Sequence, residues 1–470
     1  MVFSSLTFLY IFLPATLLLY FVLPKKARNA LLLAASLVFY FCGERIYLLL
    51  MLGEILLAYL AGILFEKTNG GRKRAVLVVF LVLSFGMLGL FKYADLFTGS
   101  VNAIIGREVL AALRLHMPIG ISFYVFQSVS YGIDIWRGKY PAEKNPLRLA
   151  TYISFFPQLI AGPIVRYDEI SKELKDRKTT FQTFGDGAFR FVLGLGKKVL
   201  IADRLFAFCT AASKVGEPSL ILAWTEALAF LLYVYFDFSG YSDMAIGLGA
   251  IFGFRIPENF NYPLVAGSIR EFWRRWHITL GAWFRDYLYI PLGGSRHGLL
   301  RQIFSLLFVW AMTGLWHGAS WNYMIWGACF GVLLVIETVI SRLRKKEEKP
   351  GLWLSLPRRL LVFAVSALIF VWFRFQGAGE ALHQFSLMFG GAPLWSSETA
   401  YLLQGAAVIL IAALIGATPL PKMLFSRLEK TKPGVYILPA ARVILMIGVL
   451  GLSTAYLVDG SFSPFLYFRF

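Results

Sequence analysis

Cysteine and charged residues are scarce in this sequence. Its 470 residues include three cysteines, which stand far apart in apolar surroundings, so neither a disulfide framework nor a cysteine metal site is indicated. Charged residues make up only 16% of the chain, below the roughly one quarter of soluble globular proteins. In their place, 58% of the residues are hydrophobic and 16% are aromatic. This composition indicates a protein that lies largely within a membrane.

Long apolar runs recur towards both ends of the chain. A helix needs about 17–25 mostly apolar residues to cross a bilayer. The first run has its positive charges after it rather than before it, unlike a cleavable signal peptide, so we predict a permanent span. The predicted spans are residues 3–23, 46–65, 75–91, 320–340, 358–376, 400–418 and 437–457, with 29–43 as a shorter, tilted candidate.

The formal net charge of +19 comes from basic residues that gather between these spans. The predicted span order places four basic loops on one side of the membrane, and the positive-inside rule makes that side the cytoplasm. Both chain termini are then outside the cytoplasm, and membrane topology explains the charge without nucleic-acid binding. The four loops run from Lys25 to Arg28, Lys67 to Arg74, Arg342 to Lys349 and Lys422 to Lys432.

The middle of the chain, residues 92–341, is less regular because glycine and proline interrupt its apolar segments. Broken segments survive at membrane depth only where protein or a water-filled cavity shelters the freed backbone groups. We therefore predict an all-α polytopic membrane protein with about ten to twelve spans, plus re-entrant and interfacial helices. Residues 1–470 are expected to form one integral domain, in which regular spans in 1–91 and 342–470 flank this middle.

One histidine, His317, lies in an apolar stretch that runs from Thr313 to Trp321. An ionisable side chain at membrane depth is costly and is rare without a functional role. Imidazole takes and returns protons near neutral pH, and the glycines and indoles around His317 predict an open, aromatic-walled space. The pattern indicates proton chemistry within the membrane. Three other histidines lie beside loops or helix ends, without such a setting: His116, His297 and His383.

The segment 270–287 carries a second signal. Read as one helix, it places its large apolar side chains on one stripe and its basic side chains on the opposite face. Guanidinium groups hold phosphates well, so we predict binding of lipid headgroups or of a phosphate-bearing cofactor. An ordinary interfacial helix with snorkelling arginines is the alternative. The apolar stripe is Phe272, Trp276, Leu280, Trp283 and Tyr287, and the opposite face is Arg270, Arg274, His277, Gly281 and Arg285.

Two carboxylates, Asp237 and Asp243, stand among apolar and small residues. Buried carboxylates need partners, and the basic segment 270–287 is the nearest supply downstream. They either orient a histidine, as in many base-activating arrangements, or hold helices in register. We favour the structural role.

Five successive motifs resemble those of the membrane-bound O-acyltransferase superfamily. The similarity is to its bacterial branch, the membrane subunits for alginate O-acetylation, close to the D-alanyl transfer proteins of teichoic acid synthesis. It extends over nearly the whole chain, from Val2 to Phe470. Phe330 departs from the histidine of many relatives, which leaves the acceptor open. The motifs run from Phe156 to Ile164, Tyr235 to Gly247, Phe272 to His277, Arg285 to Gly294 and Gly314 to Gly318.

The resemblance implies a ring of tilted helices around a funnel or tunnel that reaches a catalytic histidine from both sides of the membrane. His317 matches the essential histidine of the family, and His277 matches the second histidine of the bacterial branch. The donor implied is acetyl-coenzyme A, with no metal and no permanently bound cofactor. A secreted or membrane-tethered partner protein, similar to an acetyl esterase, would acylate an extracellular polymer. The bacterial inner membrane is the expected location.

We therefore expect residues 92–341 to be catalytic, with His317 and His277 as the catalytic residues and His317 as general base. His277, Trp276 and the arginine face of 270–287 would hold the donor. Direct transfer, an acyl-histidine and a relay through the second histidine all remain open. A transporter or flippase is the rival from another class, since broken helices and intramembrane charges also mark substrate pathways. A non-catalytic scaffold is a further rival, but it leaves His317 unexplained.

Overall fold

The computed structural model describes residues 1–343, 352–460 and 465. All regular secondary structure in these residues is helical, which confirms the predicted all-α class. Most of the basic loop from Arg342 to Lys349, and the chain end after Phe465, lie outside the described residues. Contacts divide the chain into two compact units, Met1–Phe191 with Tyr241–Pro257, and Val192–Gly240 with Glu258–Phe470.

The first unit contains helices α1 to α8. A π-helical turn, Phe8–Phe12, precedes α1, and a 3-10 turn, Lys25–Ala27, precedes α2. The helices are α1 Leu13–Val22, α2 Arg28–Glu44, α3 Leu48–Lys67, α4 Gly70–Ile105, α5 Ile121–Trp136, α6 Pro146–Ser154, α7 Phe156–Leu159 and α8 Tyr167–Lys175. Two further helices, α9 Phe181–Gly196 and α11 Leu220–Ile251, contribute residues to both units.

The second unit contains α10 and the helices from α12 onward. Shorter turns connect them: a π-helical turn Lys197–Ala202, a 3-10 turn Pro263–Val265 and a π-helical turn Arg285–Tyr289. The helices are α10 Asp203–Ala212, α12 Ile269–Arg275, α13 Ile278–Phe284, α14 Gly298–His317, α15 Trp321–Leu343, α16 Leu352–Arg374, α17 Ala378–Met388, α18 Ser397–Gly416, α19 Leu420–Glu429 and α20 Lys432–Val458.

Within the part of the chain that is described, eight helices are long and apolar enough to cross a membrane. They confirm a polytopic membrane protein. Two of them, α11 and α14, lie in parts of the irregular middle where no individual span was predicted. Phe8–Val22 is apolar but shorter. The count of about ten to twelve spans and the orientation of the termini stay predictions. The eight are α3, α4, α11, α14, α15, α18, Ser355–Arg374 of α16 and Pro433–Val458 of α20.

Candidate active site

The backbones of α14 and α15 touch because both helices carry glycine at their contact. A Cβ atom on Gly327 would overlap the carbonyl oxygen of Trp310, and one on Gly314 would overlap the carbonyl oxygen of Tyr323. Small residues allow apolar helices this close approach. The contact brings the end of α14 beside Trp326 of α15.

His317 is the last residue of α14, and only 3% of it is exposed. Its ring packs edge to face with three aromatic side chains. The centroid distances are 4.9 Å to Trp316, 4.9 Å to Trp326 and 5.2 Å to Phe373. The predicted aromatic walls are therefore present. The glycines beside His317 do not open a space, however, since a Cβ on Gly318 would overlap an adjacent tyrosine ring.

Phe373 is held against His317 by the end of α16. The guanidinium group of the next residue, Arg374, lies 2.5 Å from the buried carboxylate of Glu226. It also donates to the carbonyl oxygen of Cys209 at 2.9 Å. Asn322 donates from Nδ2 to a backbone carbonyl just after the end of α16, at 2.7 Å. These contacts fix one wall of the His317 site.

The segment 270–287 contains two short helices and a π-helical turn, and not the single helix that its periodicity predicted. His277 separates α12 from α13 and has a left-handed backbone, with φ of 45°. The break turns His277 inward, where it is 2% exposed, while Arg274 and Arg285 are exposed. The prediction that His277 shares a face with these arginines is wrong, because tertiary contacts of His277 override the helical periodicity.

Asn259 holds the break at His277. Its Oδ1 lies 3.1 Å from Nδ1 of His277 and accepts hydrogen bonds from the N–H and the hydroxyl of Thr279, at 3.3 and 3.0 Å. Its backbone carbonyl accepts from the N–H of Ile278 at 2.9 Å. Phe238 packs edge to face with the imidazole, with ring centroids 4.6 Å apart. The imidazole is therefore oriented by both polar and aromatic contacts.

The two predicted histidines contact the same indole ring. The centroid of Trp316 lies 5.8 Å from that of His277 and 4.9 Å from that of His317. His277 lies outside the apolar spans, and burial lowers the pKa of its ring to about 3, because the charged form loses its hydration. The His277 ring is therefore neutral at physiological pH.

The apolar residues of the predicted stripe in segment 270–287 are buried. Trp276, which we predicted to contact the donor, is 2% exposed. It stacks on Phe272 with ring centroids 5.4 Å apart, so it is a core side chain. The buried members of the stripe are Phe272, Trp276, Leu280, Trp283 and Tyr287.

The three predicted phosphate-binding arginines have different settings. Arg270 is half-buried and donates to the hydroxyl of Thr338 at 2.9 Å. Arg274 and Arg285 are exposed. The carboxylate of Glu337 accepts from the first two N–H groups of α12 at 2.7 and 3.0 Å. Since Glu337 already accepts from these N–H groups, the predicted binding of phosphate would depend on the guanidinium groups.

The partners of the two carboxylates come from upstream, so the prediction that segment 270–287 supplies them is wrong. The ammonium group of Lys198 lies 2.7 Å from Asp237 and 2.8 Å from Asp203, and all three side chains are at most 2% exposed. Asp243 pairs with Arg190 at 2.9 Å. The contacts are those of the structural role that we favoured, because they join neighbouring helical segments.

Three residues of this site were not predicted: Asn259, Glu337 and Phe373. Each acts through a partner that is 18 or more positions away in the sequence, as in the pairing of Asn259 with His277. Periodicity within one helix carries no information about such contacts. For Asn259 the sequence does contain one signal, since the stretch from Pro257 to Asn261 is polar and turn-forming and so indicates a loop with hydrogen-bonding side chains.

Apolar helices that enclose two buried histidines define an integral membrane protein with an internal polar site. Its relationships are more specific. The model of the membrane-bound O-acyltransferase family, MBOAT, matches residues 142–352, which include both histidines. The chain is 38% identical to the protein named Probable alginate O-acetylase of Azotobacter vinelandii, over all of both chains. It belongs to the membrane-bound O-acyltransferase family, which confirms the resemblance seen in its motifs.

Two further relatives broaden the comparison. The peptidoglycan O-acetyltransferase of Helicobacter pylori is 35% identical over 83% of this chain and 80% of that protein. The teichoic acid D-alanyltransferase of Bacillus subtilis is 28% identical over 53% of this chain and 64% of that protein. Family membership decides between the classes that the sequence left open, in favour of a multi-pass membrane O-acyltransferase.

Proposed function

We propose that the chain moves an acetyl group from cytoplasmic acetyl-coenzyme A to a hydroxyl group, for O-acetylation of an extracellular polysaccharide or cell-wall polymer. The names of two relatives that are 38% and 35% identical support this substrate class, since they refer to O-acetylation of alginate and of peptidoglycan. A secreted or membrane-tethered partner similar to an acetyl esterase would complete the transfer. We also propose that the chain lies in the bacterial inner membrane, with both termini outside the cytoplasm.

The observation that carries this proposal is the placement of His317. It is a buried titratable side chain at the end of an apolar helix, and aromatic rings on three sides limit access to its nitrogens. A site of this kind excludes bulk water, which would otherwise compete as a nucleophile for the thioester. Acyl transfer to a hydroxyl then needs alignment of the reactants and removal of one proton.

The proposed step is a direct transfer. An imidazole nitrogen of His317 takes the proton from the acceptor hydroxyl as its oxygen attacks the thioester carbonyl carbon. The tetrahedral intermediate collapses, the carbon–sulfur bond breaks, and the proton returns from His317 to the sulfur. Ester and thiol leave, and no net proton is consumed.

The donor would be held by the exposed or half-buried guanidinium groups of Arg270, Arg274 and Arg285, which suit the phosphates of coenzyme A. Trp276 has no part in this version of the proposal, because it is enclosed in the aromatic core. His277 would contact the reactants beside Trp316.

The test is acetyl transfer by the purified full chain in proteoliposomes, followed as thiol release from acetyl-coenzyme A in the presence of a soluble hydroxyl acceptor. His317→Ala is expected to lower the rate about 10²–10⁴-fold, the range for general acid–base catalysis. His383→Ala is the matched control, because His383 is exposed on α17, and it should keep the wild-type rate. Undiminished transfer by a folded His317→Ala variant would contradict the proposal.

Direct transfer and an acyl-histidine differ in what remains on the protein. Incubation with radiolabelled acetyl-coenzyme A without an acceptor should leave no label on the chain after denaturation. Stoichiometric label on wild type that His317→Ala abolishes would instead establish an acyl-histidine.

A further inference from the structure

The hydrogen bonds around Asn259 identify which atom of its amide faces His277. A backbone N–H can only donate, and the N–H of Thr279 lies 3.3 Å from the same Oδ1 that lies 3.1 Å from Nδ1 of His277. That atom must therefore be the carbonyl oxygen, which accepts. Because it accepts, Nδ1 of His277 must be the donor in this pair, and so carries a hydrogen.

We propose that Asn259 is a positioning residue that fixes His277 as the Nδ1–H tautomer and thereby keeps a lone pair on Nε2. Which nitrogen of a histidine carries the proton is set by the hydrogen bond that the other makes. This inference deepens the proposed function and rests on it only for the chemical role of His277. The tautomer itself follows from the contacts.

The surroundings of Asn259 explain how one amide can set the tautomer. His277 has a left-handed backbone, with φ of 45°, which is uncommon for a residue other than glycine. The carbonyl of Asn259 accepts from the N–H of Ile278, and the N–H of Asn261 donates to the carbonyl of Arg275, each at 2.9 Å. The loop therefore binds the chain on both sides of His277. The imidazole and the amide are held in one relative position.

The ring contacts of His277 oppose a flip of the imidazole, which would exchange Nδ1 with the ring carbon Cδ2. Phe238 packs at 87° to the imidazole and Trp316 at 61°, with centroids 4.6 and 5.8 Å away. Rotation by a half turn would place a ring carbon against the amide oxygen and lose the bond to Asn259. Loss of this hydrogen bond would destabilise the flipped state, because no water replaces the lost partner of a buried polar group.

The tautomer restricts what His277 contributes to acyl transfer. A neutral imidazole without a hydrogen on Nε2 cannot donate from that atom to an oxyanion. It can accept a hydrogen bond there, so the substrate group that it recognises is an O–H or N–H donor. The hydroxyl of the acceptor and the amide N–H groups of a pantetheine arm both have this chemistry.

The tautomer is measurable without any assay of activity. The chain has five histidines, so imidazole ¹⁵N labelling gives few signals, and a His277→Gln variant assigns the pair that belongs to His277. In the wild-type protein in lipid, we expect one protonated and one unprotonated nitrogen, with Nδ1 protonated. Asn259→Leu should populate the Nε2–H form. Nε2 protonated in the wild type would overturn the proposal.

Steady-state kinetics test whether the tautomer of His277 affects the rate of acyl transfer. Asn259→Leu should lower kcat about 10²-fold, the lower end of the range for general acid–base contributions, with little change in KM. Asn259→Asp keeps an accepting oxygen but stabilises the imidazolium, which raises the pKa of His277. Below that raised pKa the ring is charged and inactive, so the rate of this variant should fall, relative to the wild-type rate, at pH values where His277 of the wild type stays neutral.

Thr279→Val is the matched control. It removes a hydroxyl that donates to the same oxygen and keeps the N–H of residue 279, so both tautomer and kcat should be preserved. A folded Asn259→Leu variant with wild-type kcat, or an Asn259→Asp pH profile that superimposes on the wild-type profile, would refute a role in turnover. A correct tautomer in a protein that transfers no acyl group would contradict only the proposed function.

Discussion

His317 and Trp326 pack edge to face, with ring centroids 4.9 Å apart, although they belong to different helices. The distance depends on backbone contact between α14 and α15, which glycine makes possible. Anything that separates these helices should therefore move the histidine away from its aromatic wall.

Gly327→Val is the direct test of this dependence. The valine side chain would overlap the carbonyl oxygen of Trp310, and we expect overpacking to cost about 1–3 kcal/mol with a matching loss of acyl transfer. Thermal unfolding in detergent and the transfer rate check both effects. Gly405→Ala on α18 is the control, since a Cβ there meets nothing within 4 Å. Equal behaviour of the two variants would argue against the packing explanation.

The buried Lys198 should be essential for folding because it separates two carboxylates. Lys198→Met leaves Asp203 and Asp237 buried without their shared cation, and removal of one partner from a buried ion pair costs about 3–5 kcal/mol. The variant that also carries Asp203→Asn and Asp237→Asn should regain much of the lost unfolding temperature. If the triple variant is as unstable as Lys198→Met, the charges are not the cause.

The pair formed by Arg374 and Glu226 should affect the rate through Phe373. Arg374→Met removes the group that anchors the end of α16, and we expect a lower kcat with an unchanged KM for the donor. Glu226→Gln, which keeps an accepting oxygen, should have a smaller effect. Steady-state kinetics with acetyl-coenzyme A measure kcat and KM separately for each variant. A KM increase alone would point to the donor site instead.

The donor proposal makes a prediction about substrate length. Alanine at Arg270, Arg274 or Arg285 should raise the KM for acetyl-coenzyme A about tenfold, as expected for loss of a charge-assisted hydrogen bond. S-acetylpantetheine lacks the nucleotide phosphates, so its KM should not change in these variants. Arg442→Ala, which breaks an exposed pair with Glu429, is the control. Equal effects on both donors would contradict phosphate recognition.

Much of the fold follows from the sequence because hydropathy is a local property. The run predicted at 400–418 is the helix Ser397–Gly416, and the run at 320–340 lies almost entirely within Trp321–Leu343. The site is less predictable because its contacts are distant in sequence. Periodicity predicted one helix through His277, whereas Asn259 binds that residue and stabilises a break.

The same limit explains the partners of Asp237. The nearest arginines downstream were a reasonable supply of charge, but Lys198 lies in an apolar stretch upstream and reaches Asp237 in the folded unit. From the sequence alone, a lysine in such a stretch cannot be distinguished from a lysine that lies on the surface. Its importance depends on three-dimensional burial, which one sequence does not contain.

The contact of α14 with α15 also limits which acyl donors the site could use. Helices whose backbones touch have little freedom to slide or tilt independently, so in the proposed reaction His317, at the end of one of them, would be a stationary base. Both reactants must therefore travel to it. A thioester on a long flexible arm meets that requirement, because the arm covers the distance while the nucleotide stays at the surface. Because the histidine does not move, its distance from the surface would then set the shortest arm that can carry the thioester to it.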